Sequence, residues 1–411
     1  MYKKKILAII VLIALIILGV FLMYFYRTSN SKKEVEVIVE PLDNSKDIIS
    51  ENKNIWPYID CNLDNYHNGV DKICKANNVY GMQIVVFKGE EIIDSYNYGY
   101  SDIYRKEEVN DDTVFRIAST SKMISNMLIM KLVDEGKLSL DSNLKELTGL
   151  DFDDDVKLYH ILTHTSGLID SSAFNNNLNT IYDINYLLRI SNVRKPGTTY
   201  NYTNFGAGTM AAIIESVTGR YFMDYAKEEL FDVMGLNAGY VCEHLKPDTV
   251  VAKMYDDEVI NPLTWKYNEE FYKKFELGKQ YRMAYGNLFI SGKDLAKLGM
   301  VLAGNGKYKD DLILSYNSLN EIRTIRNEAL GYTYKTGLNT DFFDDYVEGR
   351  RLYGHTGSAY GAISCLIYDP SDNTGVALVT NHAVNVHNDK DICCLLYDSV
   401  NLVYSNFFTY K

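Results

Sequence analysis

The chain has 411 residues, 46% of them hydrophobic, and a formal net charge of −12. That is enough apolar material for one large α/β unit with an extension. The acidic balance excludes the basic footprint that nucleic acid requires, so no nucleic-acid partner is expected. The 34 tyrosines and 6 prolines read as a bias of composition rather than a binding feature.

From the N-terminus, Ile6–Tyr26 (ILAIIVLIALIILGVFLMYFY) is a run without a charge. A helix of that length, at ~1.5 Å per residue, spans roughly 30 Å, the thickness of a bilayer's hydrocarbon core. Tyr24 and Tyr26 suit its interface. The run exceeds the apolar core of a signal peptide and no small-residue cleavage site follows, so residues 1–26 are expected to be an uncleaved transmembrane anchor. Lys3, Lys4 and Lys5 before it are nearly balanced by Arg27, Lys32 and Lys33 after it, so charge alone does not set its orientation. Residues 27–55 are polar and charged and read as a linker, with a brief strand-like alternation over Val35–Val39. The globular domain is expected over 56–411.

Within that domain, Gly81–Tyr100 reads as two strands about a Lys88-Gly89 turn. Ser121–Leu138, Gly206–Val217 and Asp294–Leu302 carry apolar residues at helical spacing. Ala362–Asp369 and Val376–Thr380 form another hairpin about PSDNTG, and Ile392–Phe407 is again helical in pattern. Strands at both ends with helices between predict an α/β (α+β) fold: an antiparallel sheet built from distant segments, flanked by helices and carrying an all-helical insertion. The six cysteines form no C-x-x-C pair and read as small buried hydrophobes, a Cys61–Cys74 bridge being the alternative outside the cell.

Three segments carry chemistry. In FRIASTSKM (Phe115–Met123), Ser119 and Lys122 are three apart and share a helix face, whereas Ser121 cannot easily join them. A partly desolvated lysine beside a serine hydroxyl can take its proton. PGTTYNYTNFG (Pro196–Gly206) holds Tyr202 and Asn204 as Y-x-N, a phenol able to relay protons and an amide able to hold a substrate carbonyl. YGHTGSAYG (Tyr353–Gly361) holds His355-Thr356-Gly357 just before a strand, with the glycine expected to let substrate backbone approach.

Serine, Y-x-N and x-T-G in this order resemble the serine β-lactamase and penicillin-binding protein superfamily, in the branch of class C β-lactamases, D-alanyl-D-alanine peptidases and related esterases. LYHILTHTSGL (Leu158–Leu168) and Gly286–Leu314 also resemble that family's spacers, so the likeness runs over roughly residues 70–405. The resemblance implies Ser119 as the acylated nucleophile, Lys122 assisting its deprotonation, and Tyr202 moving the proton to or from the leaving group. It further implies Asn204, His355, Thr356 and Gly357 as substrate-binding, and the backbone N–H groups of Ser119 and Ser358 as the oxyanion hole. H-T-G in place of K-T-G is more similar to D-alanyl-D-alanine carboxypeptidases and some esterases than to class C β-lactamases. The resemblance implies a membrane-anchored extracytoplasmic serine hydrolase of the cell envelope with no cofactor, ranked first as a D-alanyl-D-alanine carboxypeptidase or transpeptidase. D-alanyl esterase, D-aminopeptidase, β-lactamase and a non-hydrolytic receptor for β-lactams or wall fragments are the alternatives.

Two decoys need separating from this set. Lys335-Thr336-Gly337 has the family's lysine, but only His355 leads into a hairpin, so Lys335 is placed upstream of the third motif. His160 and His164 are spaced like helical metal ligands but lack the intervening glutamate, so packing is the expected role and no metal is expected.

Overall fold

The computed structural model describes residues 62–175, 180–256, 259–261, 268–330 and 335–408. The chain divides into units 1–43 and 44–411, and every described residue belongs to the second. The expected anchor (1–26), the linker (27–55) and the Val35–Val39 alternation therefore lie outside the described residues. No described helix is long and apolar enough to cross a membrane.

Strands β1 (Gly81–Lys88) and β2 (Glu91–Asp102) form the first hairpin, where two strands about a short turn are expected. With β3 (Glu107–Glu108), β4 (Asp341–Phe343), β5 (Leu352–Ala359), β6 (Ala362–Asp369) and β7 (Thr374–Thr380) they build a seven-stranded sheet ordered β4-β5-β6-β7-β1-β2-β3. Each pairing is antiparallel, with Ile84 opposite Leu378 and Gly357 opposite Ser364 fixing the register of the centre and of the site edge.

Because side chains alternate along a strand, the sheet feeds two cores. Met82, Ile84 and Val86 pack with helices α1 (Leu63–Ala76) and α5 (Cys394–Phe407) on one face. Val85 and Phe87 join the larger core on the other, where α2 (Ser121–Asp134), α3 (Asn204–Thr218) and α4 (Gly292–Ala303) lie. α4 begins at Ser291, whose hydroxyl accepts from the Asp294 N–H at 3.1 Å. It rests directly on the sheet at Gly299, where an added Cβ would come within 2.7 Å of Leu366 and Phe87. α2 and α3 are apolar on nearly every side and almost wholly buried, as the centre of a helical insertion requires.

Local differences from the sequence pattern have local causes. α2 stops at Asp134 rather than Leu138 and is preceded by a 3₁₀ turn, Ala118–Thr120, which carries Ser119 outside the helix proper. α3 starts at Asn204, two residues before the apolar pattern shows it, because Thr203 caps it by accepting from the Gly206 N–H at 3.3 Å. Cys74 is a buried free thiol 3.8 Å from the Met82 sulfur, while Cys61 lies outside the described residues.

Candidate active site

The site forms where the 3₁₀ turn, the start of α3 and the edge of β5 meet. Ala118 has φ +44, a left-handed conformation costly for a residue with a side chain, and it presents the following Ser119 at a sharp turn. That turn is tied to β6: Thr120 Oγ1 lies 2.9 Å from Ser364 Oγ, which donates to the Ile117 carbonyl at 2.7 Å. Opposite Ser364, Gly357 runs so close that an added Cβ would fall 2.6 Å from the Ile117 carbonyl and 2.9 Å from the Ser119 nitrogen. The glycine therefore lets the Ser119 turn pack closely against the strand.

Lys122 Nζ reaches Ser119 Oγ at 3.0 Å, Asn204 Oδ1 at 2.8 Å and the Tyr285 carbonyl at 2.9 Å. Two of these partners can only accept, so a neutral amine gives its two N–H bonds to Asn204 and Tyr285 and turns its lone pair to the Ser119 hydroxyl. Burial is the main cause drawing its pKa down to about 7, with Arg116 pulling the same way against Asp170 and Asp341. Tyr285 is held in place through α2, where Ser125 Oγ donates to the neighbouring Ala284 carbonyl at 2.7 Å.

Tyr202 lies with its ring centre 4.8 Å from Lys122 Nζ and hydrogen-bonds Ser119. The ring is 41% exposed, yet its hydroxyl end is enclosed in the site. That enclosure pushes the phenol pKa up, outweighing the Ser119 hydrogen bond, so the hydroxyl keeps its proton at neutral pH. His355 is buried, its ring centre 6.3 Å from that of Tyr202. Burial lowers its pKa, and its Nδ1–H donates to the Thr356 carbonyl at 2.6 Å, so the third motif presents a neutral imidazole.

Beside Ser119 lies a cleft of ≈ 220 Å³ lined by Arg116, Ser119, Phe174, Asn204, Tyr285 and Ser358 among others. Of the residues singled out from sequence, Ser119, Asn204 and Ser358 reach it. Lys122, Tyr202, His355, Thr356 and Gly357 stand around it without forming its lining. Ser121 turns away: its hydroxyl donates to the Ala118 carbonyl at 2.6 Å and accepts from the Leu288 N–H at 3.1 Å.

The decoys separate in space. Thr336 makes a bridge to Asp341 just before β4, and Lys335 pairs with Asp344 at 3.5 Å, away from the motif strand. His160 Nδ1 accepts from the Lys157 N–H at 3.0 Å in the turn that starts its helix. His164 is buried with its ring centre 4.5 Å from that of Tyr202 and accepts from the Thr203 N–H. Among the described residues no group of three or more His, Cys, Asp or Glu is placed to hold a metal ion.

Sequence reasoning missed Asp170. Its Oδ1 accepts from Thr203 Oγ1 at 2.6 Å and the Phe205 N–H at 2.7 Å. Its Oδ2 accepts from the Asn204 N–H at 3.0 Å and Asn204 Nδ2 at 3.2 Å. It thus satisfies the first turn of α3 and fixes the Asn204 amide with its oxygen toward Lys122. No local signal points to it, because cap and helix lie 34 residues apart. Asp170→Asn should lower stability by about 1–3 kcal/mol, the usual cost of breaking a charged hydrogen-bond set. Because Asp170 supports the charged form of Lys122, the acid limb of the pH–rate profile should also move to lower pH. An unshifted limb would leave Asp170 as a cap alone.

Known proteins resemble this chain in sequence and in fold. A family model described as Beta-lactamase matches residues 68–392. The chain is 26% identical over 346 residues to the N-acetylmuramyl-L-alanine amidase of Bacillus subtilis (strain 168), covering 73% of this chain and 77% of that protein. Among solved structures, the octameric penicillin-binding protein homologue from Pyrococcus abyssi superposes with a TM-score of 0.65 at 21% identity, covering 84% of this chain and 79% of that one. The β-lactamase/D-alanine carboxypeptidase from Pseudomonas syringae gives 0.64 at 18% identity, over 82% of this chain and 98% of that one. At such identities the structural likeness speaks for the fold.

Proposed function

This chain belongs to the beta-lactamase family of serine hydrolases, and we propose that it forms an acyl-enzyme on Ser119 as a D-alanyl-D-alanine carboxypeptidase or transpeptidase. In this reading residues 6–26 anchor it in the cell membrane, and the domain faces the extracytoplasmic side, where its peptide substrates are. The observation that carries the chemistry is the threefold setting of Lys122, which aims an amine with a pKa of about 7 at Ser119 Oγ.

Lys122 takes the hydroxyl proton as Ser119 Oγ attacks the substrate carbonyl. The oxyanion lies between the N–H groups of Ser119 and Ser358, and Asn204 and Ser358 meet the substrate from the cleft wall. Tyr202, whose phenol stays protonated at neutral pH, passes a proton to the departing amine and is reprotonated from Lys122. Water then attacks the ester through the same groups in reverse, or a second amine does so and is acylated.

Full-length protein in detergent, offered D-alanyl-D-alanine peptides, D-alanyl esters, D-amino-acid amides and cephalosporins, should release D-alanine from the peptides fastest. Turnover of cephalosporins alone would reverse the ranking. Protease added to protoplasts should digest the membrane-bound domain, and its full protection would contradict the extracytoplasmic placement.

A further inference from the structure

Tyr202 stands on a segment without regular structure: residues 199–203 belong to neither helix nor strand, and α3 begins only at Asn204. The residue is 41% exposed, so packing on every side does not fix its ring. His164 grips this segment at three consecutive residues. Its carbonyl accepts from the Asn201 N–H at 2.8 Å, and its Nδ1 accepts from the Thr203 N–H at 3.3 Å. Between those two bonds its imidazole lies against the Tyr202 ring, with centres 4.5 Å apart and planes inclined by 36°.

The arrangement is costly in three ways. His164 has φ +55, in the left-handed region. Its side chain is buried away from water. Because Nδ1 accepts, the proton of the neutral imidazole sits on Nε2, and that nitrogen has no hydrogen-bond partner among the described residues. Backbone strain and an unpaired buried N–H in one residue are the kind of cost that gathers at sites of function. Burial holds the pKa of His164 well below the ordinary histidine value, and Lys122 and His355 act in the same direction. The ring therefore stays neutral and keeps its Nδ1 lone pair for the Thr203 N–H.

We propose that His164 is a positioning residue for Tyr202, fixing the phenol at the angle from which it passes a proton to the departing amine. This rests on the acyl-enzyme reading above and adds a residue to it. His164 acts through Tyr202 and takes no proton itself.

The test uses full-length protein in detergent and two donors of the same acyl group. One is an N-acyl-D-alanyl-D-alanine peptide, whose amine must gain a proton to leave. The other is the matched D-alanyl thioester, whose thiolate leaves without one. His164→Asn suits the left-handed backbone and removes the ring. It should lower kcat/KM for the peptide by ~10–100-fold, the scale of a misplaced proton donor, and leave the thioester within ~3-fold. Tyr202→Phe should show the same split, and adding His164→Asn to it should cost little more. Equal loss on both donors, no loss on the peptide, or full additivity of the two substitutions overturns the proposal. If His164→Asn does not fold, His164→Gly, unstrained at this φ, is read in the same way. Failure of both to fold makes His164 a residue of the fold and overturns the selective role. Wild type that cleaves only the thioester overturns the peptidase reading, and with it the proton transfer that His164 serves. Turnover of neither donor overturns the acyl-enzyme reading itself.

Discussion

Ser119→Ala should lower turnover of an activated D-alanyl ester by at least ~10³-fold, the scale on which removal of a nucleophile acts when its partners remain. The neighbouring hydroxyl cannot replace it. Ser121 Oγ is engaged with the Ala118 carbonyl and the Leu288 N–H, and it is fully buried. Ser121→Ala should therefore retain turnover within a few-fold while losing about 1–3 kcal/mol of stability, because the buried Leu288 N–H loses its acceptor. A steady-state assay beside thermal unfolding separates the two serines. The reverse pattern, with Ser121→Ala inactive and Ser119→Ala active, would overturn the assignment.

Lys122→Met should reduce acylation by ~10²–10⁴-fold, the usual contribution of a positioned general base. In wild type the acylation rate should rise with pH through about 7, as Lys122 loses its proton. In the Met variant that limb should vanish from whatever rate remains. The same titration enters stability with a definite sign. The folded-state pKa of Lys122 lies below the ordinary 10.5, so between about 7 and 10.5 the unfolded chain binds a proton that the folded chain does not. Wild type should thus gain stability relative to Lys122→Met as pH rises from about 7 to 9, by up to about 1.4 kcal/mol per pH unit. Below that window lysine is protonated in both states and the relative gain disappears. Parallel stability curves for the two proteins, measured by denaturant unfolding at both pH values, would show that Lys122 is already charged in the fold.

What could be read from sequence was local. The i, i+3 spacing of Ser119 and Lys122 foretold their contact, and apolar runs about the Lys88-Gly89 and PSDNTG turns foretold β1 with β2 and β6 with β7. The Lys335 segment also turns back on itself, with Thr336 bridging Asp341, and what sets it apart is that the His355 strand lies against the Ser119 turn at Gly357. Features that depend on distant segments gave no signal. Asp170 caps a helix that begins far along the chain, and the Tyr285 carbonyl reaches Lys122 from a separate segment. The pair Phe115–Arg116 with Phe289–Ile290 is too short for a pattern to reveal, yet it aims Arg116 at the cleft. Gly357 was visible as a motif residue, but its closeness to the Ser119 backbone appears only once β5 and the nucleophile turn are packed together.

The central claim is an acyl bond on one particular oxygen. Full-length protein treated with a penicillin, quenched, digested and analysed by mass spectrometry should carry a single adduct. Fragmentation should place it on Ser119 within FRIASTSKM, and Ser119→Ala should lose it. An adduct on Ser121, or the absence of any covalent adduct, would contradict the account.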